Sequence, residues 1–299
     1  MTQRIALLGH PVAHSISPAF QQAALDACAI DARYEAWDTA PEDLRIAVEQ
    51  LRSGDLLGAN VTVPHKVEAM RLVDRPDALA ERVGAINTIV RRNGLLEATN
   101  TDVTGILRAL ESADVEVRGA EVLLVGAGGA ARAVVVAMHH AGAARVVVAN
   151  RTPERAAALA TLGGADLDLR YVPLDPADAT FRAAAGRARV IVQSTSLGMQ
   201  HGPDEGANPV PGDLMHPGQV AFDLVYVPEE TPFLRAAAEA GARPVGGLAM
   251  LVHQGAEAFR LWTRTPPPLE VMFGAARAAL VARSTGAGST RVGGGPEDG

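Results

Sequence analysis

Lys66 closes the run Asn60-Val61-Thr62-Val63-Pro64-His65-Lys66, which brings an amide, a hydroxyl and an amine to one strand-to-helix turn. Pro64 precedes a predicted helix, so the ammonium falls in a first helical turn, where the dipole disfavours a cation. A purely structural reading does not explain that placement. Asn100-Thr101-Asp102 sets a carboxylate at the start of another crossover, and Asn87 precedes a strand. His14-Ser15-Ile16-Ser17-Pro18 puts two hydroxyls at alternating positions before a helix. Each cluster alone has an ordinary structural reading, and Ser17-Pro18 fits an N-cap. His65, between Pro64 and Lys66, points away from whatever Lys66 reaches, and His139 and His140 read as helix surface or packing. No metal site is read from the sequence.

Beside these clusters stands a phosphate-binding signature. Gly126-Ala127-Gly128-Gly129-Ala130-Ala131 fits G-x-G-x-x-A, follows the apolar strand Val122–Val125 and opens an Ala-rich helix. That context is what such a turn needs: glycines for close backbone approach and a helix N-terminus facing the phosphates. A site for the unphosphorylated dinucleotide wants Asp or Glu at the end of the next strand. Here stand Asn150, Arg151 and Thr152, with Arg155 one turn on; two guanidiniums and a hydroxyl suit a 2′-phosphate, which points to NADP. Glu154 reads as a surface partner of Arg151.

The elements that must position these groups form two alternations. Arg4–Gly9, Arg33–Trp37 and Gly58–Val63 read as strands, with helices at Pro18–Cys28 and Asp43–Arg52. Asn93-Gly94 joins Thr88–Arg91 to Leu95–Ala98 as a two-residue hairpin. The region is a small α/β unit with a mixed sheet. Val122–Val125, Arg145–Ala149, Val190–Val192 and Val220–Val225 are short apolar strands between helices, the pattern of a parallel sheet covered on both faces. Thr231-Pro232 starts a helix and Gly241 ends it. Leu248–Trp262 and Leu269–Ala282 are two closing helices around Pro266, Pro267 and Pro268. From Ser284 to Gly299 the composition predicts a disordered tail.

The net charge of −7 disfavours nucleic acid as a partner. No run of about 18 uncharged apolar residues predicts a membrane span, and nothing at Met1–Gly9 resembles a signal peptide. The predicted address is the cytoplasm. Cys28 stands alone, so no intrachain disulfide forms, and it reads as a small packed hydrophobe.

Taken in order, Gly9-His10-Pro11 with His14–Pro18, Asn60–Lys66, Gly84–Thr88, Asn100–Asp102, Gly126–Ala131 with Asn150–Thr152, Thr195–Met199, Asp223–Pro228, and Gly247–Gln254 with Phe259 and Trp262 resemble the shikimate dehydrogenase family from about Arg4 to Thr263. The resemblance implies an α/β fold. A substrate domain (1–102, completed by 246–283) precedes a Rossmann-like NADP domain (103–245), and the last helices return to the first domain. It implies Lys66 and Asp102 as the catalytic pair, with Ser15 and Ser17 on a substrate carboxylate. Thr62, Asn87, Tyr226 and Gln254 would be further substrate contacts. Gly126, Gly128, Gly129 and Ala130 would hold the pyrophosphate; Asn150, Arg151, Thr152 and Arg155 the 2′-phosphate; Met250 would sit near the nicotinamide. The implied reaction is reversible reduction of 3-dehydroshikimate to shikimate with NADPH, a step of chorismate and aromatic amino-acid biosynthesis. Quinate or aminoshikimate as substrate, and a catalytically silent NADPH-binding regulatory module, are the alternatives. Small-molecule substrate is the expected partner, and a homodimer is left open. The chain departs from the family at Gln21-Gln22, usually His-Asn, at Gln193, usually Asn, and at Ala98 and Val103, often Gly.

Overall fold

A computed structural model describes residues 2–164, 166–200, 202 and 204–284. The predicted tail therefore lies, from residue 285 on, outside the described residues.

The first half runs β1 (Gln3–Gly9), α1 (Ser17–Ala27), β2 (Ala32–Asp38), α2 (Leu44–Gln50), β3 (Leu56–Val61), α3 (Lys66–Ala69), β4 (Arg75–Pro76), α4 (Ala78–Val83), β5 (Thr88–Arg92), β6 (Leu95–Thr99) and α5 (Thr101–Ser112). Its strands form one mixed sheet in the order β2-β1-β3-β5-β6-β4. β1 pairs in parallel with β2 and β3, and β5 runs antiparallel to both β3 and β6. Asn93 and Gly94 turn the β5–β6 hairpin with φ of 52° and 79°, the left-handed pair that a two-residue turn requires.

The second half runs β7 (Glu121–Val125), α6 (Gly129–His140), β8 (Arg145–Asn150), α7 (Pro153–Ala157), β9 (Asp168–Pro173), α8 (Ala179–Arg187), β10 (Val190–Gln193), β11 (Val220–Asp223), α9 (Pro232–Glu239) and β12 (Arg243–Val245). All its pairings are parallel, in the order β9-β8-β7-β10-β11-β12. This is the doubly wound order, in which the crevice between the first strand and its neighbour across the reversal is the ligand position. β7 and β10 flank that crevice, and the glycine turn leaves the end of β7. Thr231 caps α9 by accepting from the Leu234 amide at 3.2 Å.

α10 (Leu248–Thr263) and α11 (Leu269–Ser284) close the chain. They bury Val252, Phe259, Trp262, Met272 and Leu280 against Ile5, Leu7 and Phe20, so they belong to the core of the first sheet. Trp262 donates from Nε1 to the Ile89 carbonyl at 2.9 Å, over Gly58, where a Cβ would stand 2.0 Å from that same oxygen. Val134–Val136 form a β-branched run that disfavours helix in isolation. They sit in α6 because every residue from Ala133 to Met138 is buried there, facing the sheet and α5. Cys28 is half-buried beside the core of the first sheet.

Several elements differ from the sequence reading. β4, β9 and β12 are absent from it; all are edge or edge-like strands carrying Pro or charges, which suppress the apolar signal. The helix expected from Pro64 is one turn, Lys66–Ala69, continued by a 3-10 turn at Met70–Leu72. α1 begins at Ser17 with Ile16 in the capping position and no side-chain cap. Ser17 is therefore not an N-cap; instead its own amide donates to Ser15 Oγ at 3.2 Å. α11 reaches Ser284, two residues beyond its expected end.

Candidate active site

Lys66 gets its position from the turn after β3. The Thr62 amide donates to the Leu8 carbonyl at 2.8 Å, the His65 amide to Thr62 at 2.9 Å, and the Lys66 carbonyl accepts from Ile86 at 2.9 Å. Pinned on both sides, Lys66 extends its ammonium to Asp102 Oδ2 at 2.5 Å. Side-chain exposure is 16% for Lys66 and 4% for Asp102. Desolvation at such burial offsets most of the attraction, so the pair is a poor stabiliser of the fold. Asp102 stands in the first turn of α5, its amide donating to the capping Asn100 Oδ1 at 3.1 Å.

A polar net fixes the carboxylate. Asn87 Nδ2 donates to Asp102 Oδ1 at 2.8 Å and to Gln254 Oε1 at 3.2 Å. Asn87 Oδ1 accepts from the Thr101 amide at 2.7 Å. Asn60 Nδ2 donates to the Asn87 carbonyl at 3.1 Å, and Tyr34 donates to Asn60 Oδ1 at 2.7 Å. Burial pushes the Tyr34 phenol well up, keeping it a donor.

Lys66, Asp102, Asn87, Asn60 and Gln254 line a cavity of about 160 Å³, shared with Ser15, Ser17, Thr62, Tyr226, Met250 and Ala130. The cavity thus takes one wall from β1, β3 and α1, another from α10, and a third from the glycine turn of the second sheet. Burial pushes the Tyr226 phenol up, while the Arg283 charge and the Ser15 side chain pull it back. His65 does not line this space. It is 2% exposed and donates from Nε2 to the Thr39 carbonyl at 2.7 Å, pointing away from Lys66. A larger cavity of about 500 Å³ lies behind Asn100 and Thr101. Two ion pairs stand in it, Arg92 with Glu97 at 3.3 Å and Arg260 with Glu257 at 2.6 Å, and it holds neither Lys66 nor Asp102.

The glycine turn fits a dinucleotide phosphate. Gly126 has φ +106°, and a Cβ there would stand 2.8 Å from Ser194 Oγ and Thr195 Cγ2, the loop after β10. Gly128 caps α6 without a side chain, and a Cβ on it would meet nothing within 4 Å. No side chain therefore fills the space beside the start of this 12-residue helix, whose first amides have no partner within the helix. A Cβ on Gly129 would lie 3.8 Å from Lys66 Cδ, so this turn borders the Lys66 side-chain stem. At the end of β8, Asn150 Nδ2 donates to the Thr152 carbonyl at 2.8 Å, shaping the turn that exposes Arg151 and Arg155. Among the described residues neither guanidinium has a carboxylate partner. The expected Arg151–Glu154 surface pair is therefore not formed, and both cations stay available to an anion.

The departures have structural uses. Gln193 is fully buried and organises the loop after β10. Its Oε1 accepts from the Thr195 amide at 2.6 Å, and its Nε2 donates to the Leu197 carbonyl at 2.9 Å. Gln21 donates to the Gly255 carbonyl at 2.9 Å, tying α1 to α10, and Gln22 Oε1 accepts from the Tyr34 amide at 3.0 Å. Ala98 and Val103 are buried core residues.

Three family models match in succession. The shikimate dehydrogenase substrate binding domain matches residues 7–89, the shikimate / quinate 5-dehydrogenase model 108–206, and the shikimate 5′-dehydrogenase C-terminal domain 247–277. The shikimate dehydrogenase (NADP(+)) of Moorella thermoacetica is 45% identical over 291 residues, covering 97% of this chain and 98% of the relative. The chain belongs to the shikimate dehydrogenase family. Among solved members, the Thermus thermophilus shikimate 5-dehydrogenase in complex with NADP(H) and shikimate is 43% identical at a TM-score of 0.83, covering 93% of this chain and all of that one. A quinate dehydrogenase of Corynebacterium glutamicum in complex with NAD is 27% identical at a TM-score of 0.84, covering 93% and 99%. Fold likeness alone therefore does not separate the substrates and cofactors within this family; the residues in the cavity and at the end of β8 must.

Sequence reasoning did not assign Asn60, Thr101 or Arg283 a role. Asn60 lines the cavity and holds the Asn87 carbonyl, while Thr101 holds Asn87 Oδ1 from outside it, and their adjacency to those motifs was the available signal. Nothing local in the sequence marks Arg283.

Proposed function

We propose that this chain catalyses the reversible NADPH-dependent reduction of 3-dehydroshikimate to shikimate, a step toward chorismate and the aromatic amino acids, with Lys66 and Asp102 as the proton-transfer pair. The observation that carries this reading is one cavity holding the Lys66–Asp102 pair, the Ser15 and Ser17 side chains and the edge of the glycine turn. NADPH, when bound, supplies the hydride to the ring carbonyl carbon. Negative charge then grows on the carbonyl oxygen, where a positioned ammonium stabilises it and delivers the proton. Asp102 holds that ammonium, and Asn87 holds Asp102. Ser15 and Ser17 supply hydroxyl donors for the substrate carboxylate beside the N-terminus of α1, whose dipole favours an anion. Thr62, Tyr226 and Gln254 would contact the ring substituents, and Met250 would flank the nicotinamide. Gly126, Gly128, Gly129 and Ala130 would hold the pyrophosphate; Asn150, Arg151, Thr152 and Arg155 would hold the 2′-phosphate.

Oxidation of quinate is the second reading, favoured by the fold shared with the quinate dehydrogenase. The two guanidiniums after β8, with no carboxylate ending that strand, favour NADP. A silent NADPH-binding module has no use for a buried Lys66–Asp102 pair. Steady-state rates on shikimate, quinate and aminoshikimate, each with NADP⁺ and NAD⁺, decide among these. The highest kcat/KM should fall on shikimate with NADP⁺. A preference for quinate with NAD⁺ would overturn the assignment, and no turnover on any would favour the silent module. No described helix is long and apolar enough to cross a membrane. We assign the chain to the cytoplasm, and recovery in the membrane fraction would contradict that.

A further inference from the structure

Ser15 and Ser17 reach the cavity at the end of a stretch that no strand supports. β1 ends at Gly9 and α1 begins at Ser17. Val12 and Ile16 are buried anchors at 4% and 2% exposure, and the chain between them crosses exposed surface at Ala13 and His14. A turn bond from the Ser15 amide to the Val12 carbonyl at 3.0 Å closes one end.

The other hold comes from the far end of the chain. Arg283, in the last turn of α11, donates from Nη2 to the Ala13 carbonyl at 2.9 Å and to the Ser15 carbonyl at 3.4 Å. Its Nη1 donates to the His14 carbonyl. One planar guanidinium thus engages three successive carbonyls of the loop that presents the serines. The packing that delivers it is apolar: Met272, Ala276 and Leu280 of α11 share a core with Phe20, Ala24 and Leu25 of α1.

The charge also has a place. Lys66 and Asp102 are the charged groups lining the cavity, and they pair with each other. The serines are neutral. Arg283 makes no ion pair among the described residues, and its positive charge reaches Tyr226 at the same end of the cavity. A carboxylate arriving at Ser15 and Ser17 would meet an uncompensated cation behind them.

We propose that Arg283 is a positioning residue for the substrate carboxylate, holding the Ala13–Ser15 backbone in the shape that aims both serine hydroxyls and supplying positive potential there. This rests on the proposed reading that those serines bind a carboxylate. The guanidinium fork matters as well as the charge, because a Lys ammonium is a single point that cannot span three carbonyls.

The test uses the full chain, a chain ending after Arg283, a chain ending after Ala282, and the full-length variants Arg283→Ala and Arg283→Lys. The chain ending after Arg283 should match the full chain. The chain ending after Ala282 and Arg283→Ala should raise KM for shikimate about tenfold, the scale of one lost charge-assisted bond. Turnover and KM for NADP⁺ should change far less, and Arg283→Lys should recover part of the loss. Amide hydrogen exchange across residues 13–17 should quicken in Arg283→Ala, a readout independent of activity. Unchanged KM for shikimate and unchanged exchange in Arg283→Ala would overturn the proposal. So would equal losses for shikimate and NADP⁺, which mean general support of the fold. Failure of the unmodified chain to oxidise shikimate would instead refute the functional reading, and the exchange comparison would still judge the clamp.

Discussion

Lys66 and Asp102 stand 36 positions apart in sequence and 2.5 Å apart in space, Nζ to Oδ2. Each enters at the first turn of a helix, α3 for the amine and α5 for the carboxylate. The other Asp102 oxygen accepts from Asn87 Nδ2 at 2.8 Å, so the carboxylate is fixed by two donors. Both members of the pair line the same cavity.

The alignment of α5 with α10 sets where that carboxylate stands. Gly105 sits in the middle of α5, and a Cβ there would lie 2.6 Å from the Met250 carbonyl oxygen and 2.8 Å from Gln254 Cβ. Gly105→Ala gains up to about 1 kcal/mol in helix propensity, but overpacking against backbone costs about 1–3 kcal/mol. Net destabilisation is expected, with a raised KM for substrate, because Asp102 moves relative to Gln254. A melting temperature at or above that of the native chain would show that the helices close without the glycine.

Asp223 gives the fold a pH dependence. It is fully buried at the end of β11, accepting from Thr231 Oγ1 at 2.6 Å and from the Val225 amide at 2.9 Å. Burial outweighs these bonds and pushes its carboxyl from 3.8 up to about 6. Between those values the folded chain binds more protons than the unfolded one, so this group's contribution to stability falls as pH rises from about 4 to about 6. A shift of this size is worth roughly 3 kcal/mol. Asp223→Asn keeps an acceptor for Val225 and removes the titration. Urea unfolding at several pH values should then show the variant gaining on the native chain as pH rises through that window. Parallel curves would mean the carboxyl titrates near its ordinary value.

Arg151 and Arg155 are exposed and without carboxylate partners among the described residues. One charge-assisted bond contributes about 1.5–3 kcal/mol, so Arg151→Ala should weaken NADP⁺ binding by about one to two powers of ten. NAD⁺, which lacks the 2′-phosphate, should be little affected. Titration calorimetry with both dinucleotides measures this. Equal weakening of both would assign Arg151 to the fold.

Much of this was legible in the sequence because the signals were local. Apolar runs marked the inner strands of both sheets, the Gly126–Ala131 turn marked the junction of β7 and α6, and Asn93-Gly94 marked the hairpin. Of the four edge strands only β2 was read, as Arg33–Trp37; β4 and β12 contain Pro and β9 carries charges that mask the strand pattern. The chemistry-bearing residues were visible as motifs, but their convergence on one cavity was not a property of any motif. It depends on long-range contacts: α10 against α5, and Arg283 reaching back to Ala13 across 270 positions. Likewise the burial of Asp223 is set by the strands around it, and its own sequence neighbourhood does not reveal it.

Turnover of the Lys66→Ala variant with shikimate and NADP⁺ tests the mechanism most directly. General acid–base catalysis contributes about 10²–10⁴-fold. Lys66→Ala should therefore lower kcat by at least about a hundredfold while KM for shikimate changes far less. Asp102→Asn should harm both, because Asp102 holds the ammonium and lines the same cavity. Near-normal turnover in Lys66→Ala would contradict the assignment of Lys66 as the proton-transfer group.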